Sequence, residues 1–420
     1  MEASAATTRA ADLQVISLIG FAHGISHFFH LVLPSLFPWL MVDFGLSFTG
    51  AGTLTAAFFL VSGVGQALAG FAVDRYGARR LLGTGLTLFA LSGLILGLAR
   101  GYPMLLVAAL LAGAGNSVFH PADFTVLNRR VSPGRLGHAF SAHGLSGNLG
   151  WAAGPAIVTA IAAGAGWRAA AFAAGVLALL ALSAVAVFRG IVTGPAPAPG
   201  REAAAGASRT SPFAFLGAGV VWMCFLFFFA STMGFGALQN FAPSVLRNVY
   251  RLSLAASASA LTLYMLGGAA GMALGGFLAA RYQAHEERVV GVLLVSAALL
   301  ALALATGAVP HAAVSPLMAL VGFCTGTAAP SRDLLVRRAA LGRFGQHSFG
   351  RIYGFVYSGF DAGLSASPLL FGRLMDRGLF EAVLCGVALF QGLAALAALR
   401  VGRAPAAGAA APAARPPSRA

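Results

Sequence analysis

Twelve apolar runs, each long enough to cross a bilayer, alternate along the chain with short polar gaps. A helix rising 1.5 Å per residue needs about 20 apolar residues to cross a hydrocarbon core about 30 Å thick. On that ruler, spans fall near residues 13–40, 48–73, 80–98, 102–127, 136–163 and 167–188. A second set falls near 213–241, 253–279, 288–307, 311–336, 347–372 and 379–400. In lipid every backbone polar group must be satisfied inside the segment, so the pattern predicts an all-α membrane protein of twelve transmembrane helices. The first span is too long for a signal peptide and lacks its cleavage site.

The two sets of six repeat. GFAVDRY at 70–76 returns as GFLAARY at 276–282, with Ala280 in the place of Asp74. Gly137 to Pro155 and Gly350 to Pro368 are both steps of 18 residues, within which Asn148 matches Asp361 and Gly150 matches Gly363. The expected organisation is an N-terminal six-helix bundle over 1–188 and a C-terminal one over 213–400. Between them, 189–212 reads as a cytoplasmic linker rich in Ala, Gly and Pro, and 401–420 as a disordered cytoplasmic tail of the same character. Two similar bundles imply a pseudo-two-fold axis along the membrane normal and a cavity between the halves.

Composition removes the soluble alternative: charged residues are 9% and hydrophobic residues 58%, whereas a soluble chain carries about 25% charged residues. The net charge of +15 comes from 27 arginines with no lysine. Without lysine there is no Walker A loop for ATP and no Schiff-base cofactor. The arginines sit in the gaps between spans, so they read as a topology signal and no nucleic-acid partner is expected. Nineteen of the 27 fall on the side that holds both termini and six on the other. That bias places both termini in the cytoplasm of a multi-pass protein of the cell inner membrane. Cys224, Cys324 and Cys385 lie within apolar spans and read as packing residues.

GFAVDRYGARR at 70–80, with Gly70, Asp74, Arg75, Gly77, Arg79 and Arg80, resembles the signature of the major facilitator superfamily between its second and third helices. The resemblance covers essentially the whole chain and implies that this element latches the cytoplasmic side shut. By its own chemistry, Asp74 can cap a helix or pair with arginine, and Gly77 permits a tight turn. SVFHP in the fourth span, and the run containing Gly150, Gly154 and Pro155 in the fifth, are similar to the fosmidomycin-resistance-like efflux branch. That part of the fifth span also resembles the antiporter motif of drug exporters, and both likenesses imply export.

Polar residues inside a bilayer are costly and mark candidate sites. His23, His27 and His30 share one face of the first span, where they can shuttle protons, bind an anion or bond neighbouring helices. No metal site is expected, because no fourth ligand stands at a suitable spacing. Asn116, His120 and Asp123 form a stripe in the fourth span, loosened at Pro121. There Asp123 either carries protons or pairs with Arg129 or Arg130. Asp361, mid-span in the eleventh helix on a face with Tyr357 and Ser365, is the first candidate for a protonatable group. Arg332 and Asp333 follow Pro330, with Arg332 suited to an anionic substrate and Asp333 to pairing with Arg337. Gly267, Gly271 and Gly275, with Gly147, Gly150 and Gly154, permit close helix approach.

The expected activity is secondary transport by alternating access, as a monomer in lipid without a cofactor. Proton-coupled export of a small amphipathic or anionic organic compound comes first, proton-coupled uptake of a metabolite second, and a non-transporting sensor a remote third. No nucleophile–base pair marks an enzyme.

Overall fold

A computed structural model describes residues 2–132, 135–192, 214–282, 285–344 and 349–403, and among these it is helical throughout, with no strand. The first half comprises α1 (Glu2–Phe44), α2 (Phe48–Tyr76), α3 (Ala78–Gly97), α4 (Tyr102–Asn116), α5 (Phe119–Arg130), α6 (Leu136–Ala165) and α7 (Trp167–Val187). After a single turn, α8 (Arg189–Val192), the second half comprises α9 (Gly219–Tyr250), α10 (Leu254–Arg281), α11 (Glu286–Ala305), α12 (His311–Phe344), α13 (Phe349–Asp376) and α14 (Phe380–Arg403). Eleven membrane spans qualify by length and hydropathy among the described residues, α4 and α5 counting as one. The 28-residue α13 is the twelfth.

The fourth span is broken at Ser117–Val118 rather than at Pro121. Pro121 falls in the first turn of α5, where its missing N–H is no loss. The Ser117 hydroxyl donates to the Ala114 carbonyl at 2.7 Å, which satisfies one group that the break frees. Outward-facing side chains are apolar in stripes, as Leu60, Val64 and Leu68 are on α2 and Leu389, Leu393 and Leu396 on α14. Lipid is the solvent such faces require.

The internal repeat extends to the helix caps. Ser47 accepts the Gly50 N–H at 3.0 Å to start α2, and Ser253 accepts the Ala256 N–H at 3.1 Å to start α10. Gly77 ends α2 at φ 84°, its N–H on the Val73 carbonyl, in a backbone conformation that side chains resist. This is the tight turn expected of the sequence motif, with Arg79 and Arg80 exposed beside it. Gly70 and Arg75 are also exposed, whereas the Asp74 side chain lies outside the described residues. Most of the 189–212 linker and of the 401–420 tail also falls outside them. Its first residues form α8, whose Ile191 and Gly190 carbonyls accept from Arg130 at 3.0 and 3.2 Å.

Within the first half α1 packs on α6 and α3 on α7; within the second, α9 packs on α13 and α10 on α12. Two seams join the halves, α2 against α13 and α6 against α10. Each pairs the second helix of one half with the fifth of the other, as a two-fold relation demands. The glycines expected to permit close approach do so inside the halves. A Cβ at Gly150 would meet the Gly24 carbonyl of α1, and one at Gly154 would lie 2.7 Å from the Leu31 Cβ. On α10, Gly267, Gly271 and Gly275 face the Ala319, Phe323 and Thr327 carbonyls of α12. They hold each bundle rigid and lie away from the two seams. Pro155 follows Gly154 inside α6.

An even number of crossings brings the start of α1 and the end of α14 to one end of the molecule. At the opposite end the halves touch. The Asp376 carboxylate, closing α13, accepts the Phe48 and Thr49 N–H groups at 2.6 and 3.0 Å and so caps the start of α2. Phe48 meets Phe380 and Phe241 with ring centroids 5.8 and 6.2 Å apart, and Phe37 meets Phe241 at 6.1 Å.

Candidate functional site

A cavity of about 130 Å³ lies at the junction of the halves. Its first-half wall is Asn148 and Trp151 of α6. The second-half wall includes Phe227, Phe235, Tyr264, Met272, Arg332, Phe360 and Gln391, with further residues of α9, α10, α11 and α12 between them. The lining is mainly apolar with a few polar groups, the composition of a site for a small organic molecule. Asn148 donates to the Gly144 carbonyl at 2.9 Å and to the Met272 sulfur at 3.4 Å, across the α6–α10 seam. The Arg332 guanidinium lies 4.9 Å from the Phe228 ring centroid, a cation–π contact that holds a positive charge at the wall. Asp333, which follows it, has its side chain outside the described residues, so its expected pairing lies outside them as well.

Asp361 occupies the other seam. Its Cβ and Oδ2 lie 2.9 and 3.3 Å from where a Cβ on Gly63 of α2 would stand, so only glycine leaves room for it there. One turn on, the Ser365 hydroxyl donates to the Ala56 carbonyl at 3.2 Å, also across the halves. Among the described residues no ion pair involves Asp361. Tyr357 turns instead toward α9, its ring 4.8 Å from Phe228.

The three histidines of α1 point into the first half, where helices α2, α4, α5 and α6 surround them. His30 belongs to a bonded chain. Asn116 donates to the Ser62 hydroxyl at 2.7 Å, and its carbonyl oxygen accepts from Ser26 at 2.6 Å and from His30 Nε2 at 2.9 Å. Trp151, which can only donate, gives its N–H to His30 Nδ1 at 3.1 Å. These contacts fix one tautomer of His30 and make it a brace between α1, α2, α4 and α6.

Asp123 corrects one expectation. Arg130 is spent on α8, and the fully buried Asp123 faces α1 and α6. His23 Nδ1 and His143 Nε2 each lie 3.1 Å from its Oδ2. His143 is the residue that sequence reasoning passed over, although it stands one turn before Gly147 on the glycine-marked face of α6. Gly147 matters for the same cluster, because a Cβ there would lie 2.7 Å from His27 Nδ1. His120 completes it from α5, with Nδ1 2.9 Å from Gln66 Oε1. The rings of His27, His120 and His143 surround His23 at centroid distances of 4.3, 5.2 and 3.5 Å.

Residues 16–343 match the Major Facilitator Superfamily. The chain is 35% identical over 163 residues to the fosmidomycin resistance protein of Escherichia coli, covering 38% of this chain and 40% of that one. It is 28% identical over 128 residues to a multidrug resistance protein B homolog of Mycobacterium tuberculosis, covering 30% of this chain and 24% of that one. The chain therefore spans well under half the length of these relatives. A solved bacterial homolog of the human lysosomal transporter Spinster, inward-facing and unoccupied, superposes with a TM-score of 0.74 at 14% identity, over 94% of this chain and 97% of that one. That likeness is one of fold. The chain is a multi-pass membrane protein and belongs to the major facilitator superfamily of transporters.

Proposed function

We propose that this protein exports a small amphipathic or anionic organic compound from the cytoplasm by alternating access, driven by proton entry. The observation that carries the reading is a cavity walled by both halves, lying behind an end that Asp376 and the Phe48–Phe241–Phe380 cluster close. A site shared between halves changes its exposure when the halves rock, so a solute bound there is offered to alternate faces. Arg332 gives the wall a positive charge that suits an anionic group, and Phe227, Phe235 and Trp151 suit an apolar body. Asp361, partly buried on the α2–α13 seam, is the group whose protonation biases the rocking equilibrium. The arginine asymmetry favours termini in the cytoplasm, a closed end that faces outward and an inner-membrane location. The resemblance to two resistance proteins favours export over uptake.

Expression in an efflux-deficient bacterium is the test, run over a panel of anionic and amphipathic antibiotics. Protection from at least one compound class is the expected result, lost when a proton uncoupler is added. Sensitisation to the same compounds instead indicates uptake and overturns the direction.

A further inference from the structure

The histidine cluster is more than the transport cycle asks for. Five imidazoles and one carboxylate, His23, His27, His30, His120, His143 and Asp123, are gathered inside one bundle; His30 is bonded at both ring nitrogens, and His143 Nε2 bonds Asp123 Oδ2 at 3.1 Å. Both ring nitrogens of the buried His27 lack a hydrogen-bond partner, as do Asp123 Oδ1 and His23 Nδ1. His23 Nδ1 approaches Asp123 Oδ2 at 3.1 Å without forming a hydrogen bond. Buried polar atoms are ordinarily satisfied, and several unsatisfied atoms gathered in one cluster call for a shared partner.

We propose that this cluster binds a divalent transition cation of the zinc–nickel class. His23, His143 and Asp123 form one trio of ligand atoms, and His23, His27 and His120 another, each lying within 4.8 Å of one another. A tetrahedral cation about 2.0–2.1 Å from each ligand spaces its ligand atoms about 3.3 Å apart. The 3.1 Å separations from Asp123 Oδ2 to His23 Nδ1 and His143 Nε2 already match two such edges. The fourth position is then supplied from the side of His27 and His120. His120 carries the outer partner that ligating histidines commonly have: with Nδ1–H directed to Gln66 Oε1 at 2.9 Å, its Nε2 keeps a free lone pair. Imidazole with a single carboxylate selects zinc, nickel, cobalt or copper over magnesium or calcium, which prefer all-oxygen shells. The cavity adjoins the cluster, since Trp151 lines it and also packs on His27 with centroids 4.4 Å apart.

The test uses the full chain, purified through an affinity tag without histidine and stripped with chelator. Titration with zinc chloride by calorimetry should give about one ion per chain, with magnesium chloride giving no binding. Asp123→Asn and His143→Gln should each weaken zinc binding about 100-fold or more, beyond what loss of an outer partner costs. His138→Gln, on the exposed face of α6, should leave it unchanged. Should the ligand variants fail to fold, cobalt chloride added to the wild-type chain still decides the matter. Intense visible bands of a tetrahedral centre support the site, and their absence overturns it. Zinc binding that is absent in the wild type, or equal in all variants, also overturns the proposal. The site does not rest on the export reading: a chain that exports compounds but binds no zinc defeats only the metal proposal, and the reverse result defeats only the transport reading.

Discussion

Gly150→Leu is expected to dismantle the first bundle. A Cβ at position 150 would sit against the Gly24 carbonyl, with the Gly24 Cα only 3.1 Å away. Those atoms are backbone of α1 and cannot rotate aside, so the helices must separate. Overpacking of this kind costs about 1–3 kcal/mol even where side chains can adjust, and here the strain reaches two backbones. Separation also withdraws His23 and His27 from α6, undoing the polar contacts around Asp123. At roughly 2–4 °C per kcal/mol for a domain of this size, the apparent Tm in detergent should fall by about 10 °C or more. Gly164→Leu in the same helix is the matched control, because nothing lies within 4 Å of the added Cβ. Thermal unfolding followed by size-exclusion chromatography measures both. Equal stability of the two variants would mean that α1 and α6 do not meet as described.

Asp361→Asn should abolish the response to a proton gradient while leaving exchange intact. Asparagine keeps the size and shape that Gly63 accommodates but cannot gain or lose a proton at neutral pH. With one proton per solute, a gradient of one pH unit sustains at most about a tenfold concentration ratio, equivalent to about 1.4 kcal/mol. In proteoliposomes the wild type should approach that ratio, and Asp361→Asn should equilibrate solute without concentrating it. Asn148, the pseudo-equivalent residue on the other seam, already carries an amide and holds Met272 through it. One seam thus carries a carboxyl group and the other an amide. Accumulation by Asp361→Asn equal to wild type would move the coupling elsewhere.

Much of this was legible from residues close together in the chain. Runs of about 20 apolar residues give the spans because lipid leaves the backbone no other choice. Two copies of GFxxxRY give the halves, and Gly77 gives its turn, because each is a local requirement. The break at Ser117–Val118 was missed because Pro121 is the louder signal, yet a proline in a first turn breaks nothing. The arginine alternative for Asp123 fails for a different reason. Its nearest arginines in sequence invite a local pair, whereas its partners, His23 and His143, stand on two other helices. Periodicity along one helix shows which residues share a face but not which face of which neighbour receives them. The glycines Gly147, Gly150 and Gly154 were the available clue, since they mark the side of α6 that α1 must approach, and His143 lies on that side.

Transport by alternating access requires the end closed by Phe48, Phe241 and Phe380 to open. Cysteines at Phe48 and Phe380, whose ring centroids lie 5.8 Å apart across the two halves, test it most directly. They would be placed in a chain with Cys224, Cys324 and Cys385 replaced, and bridged by a short, reducible thiol crosslinker. Transport in proteoliposomes should stop when the bridge forms and return on reduction. Undiminished transport with the bridge in place would contradict the account.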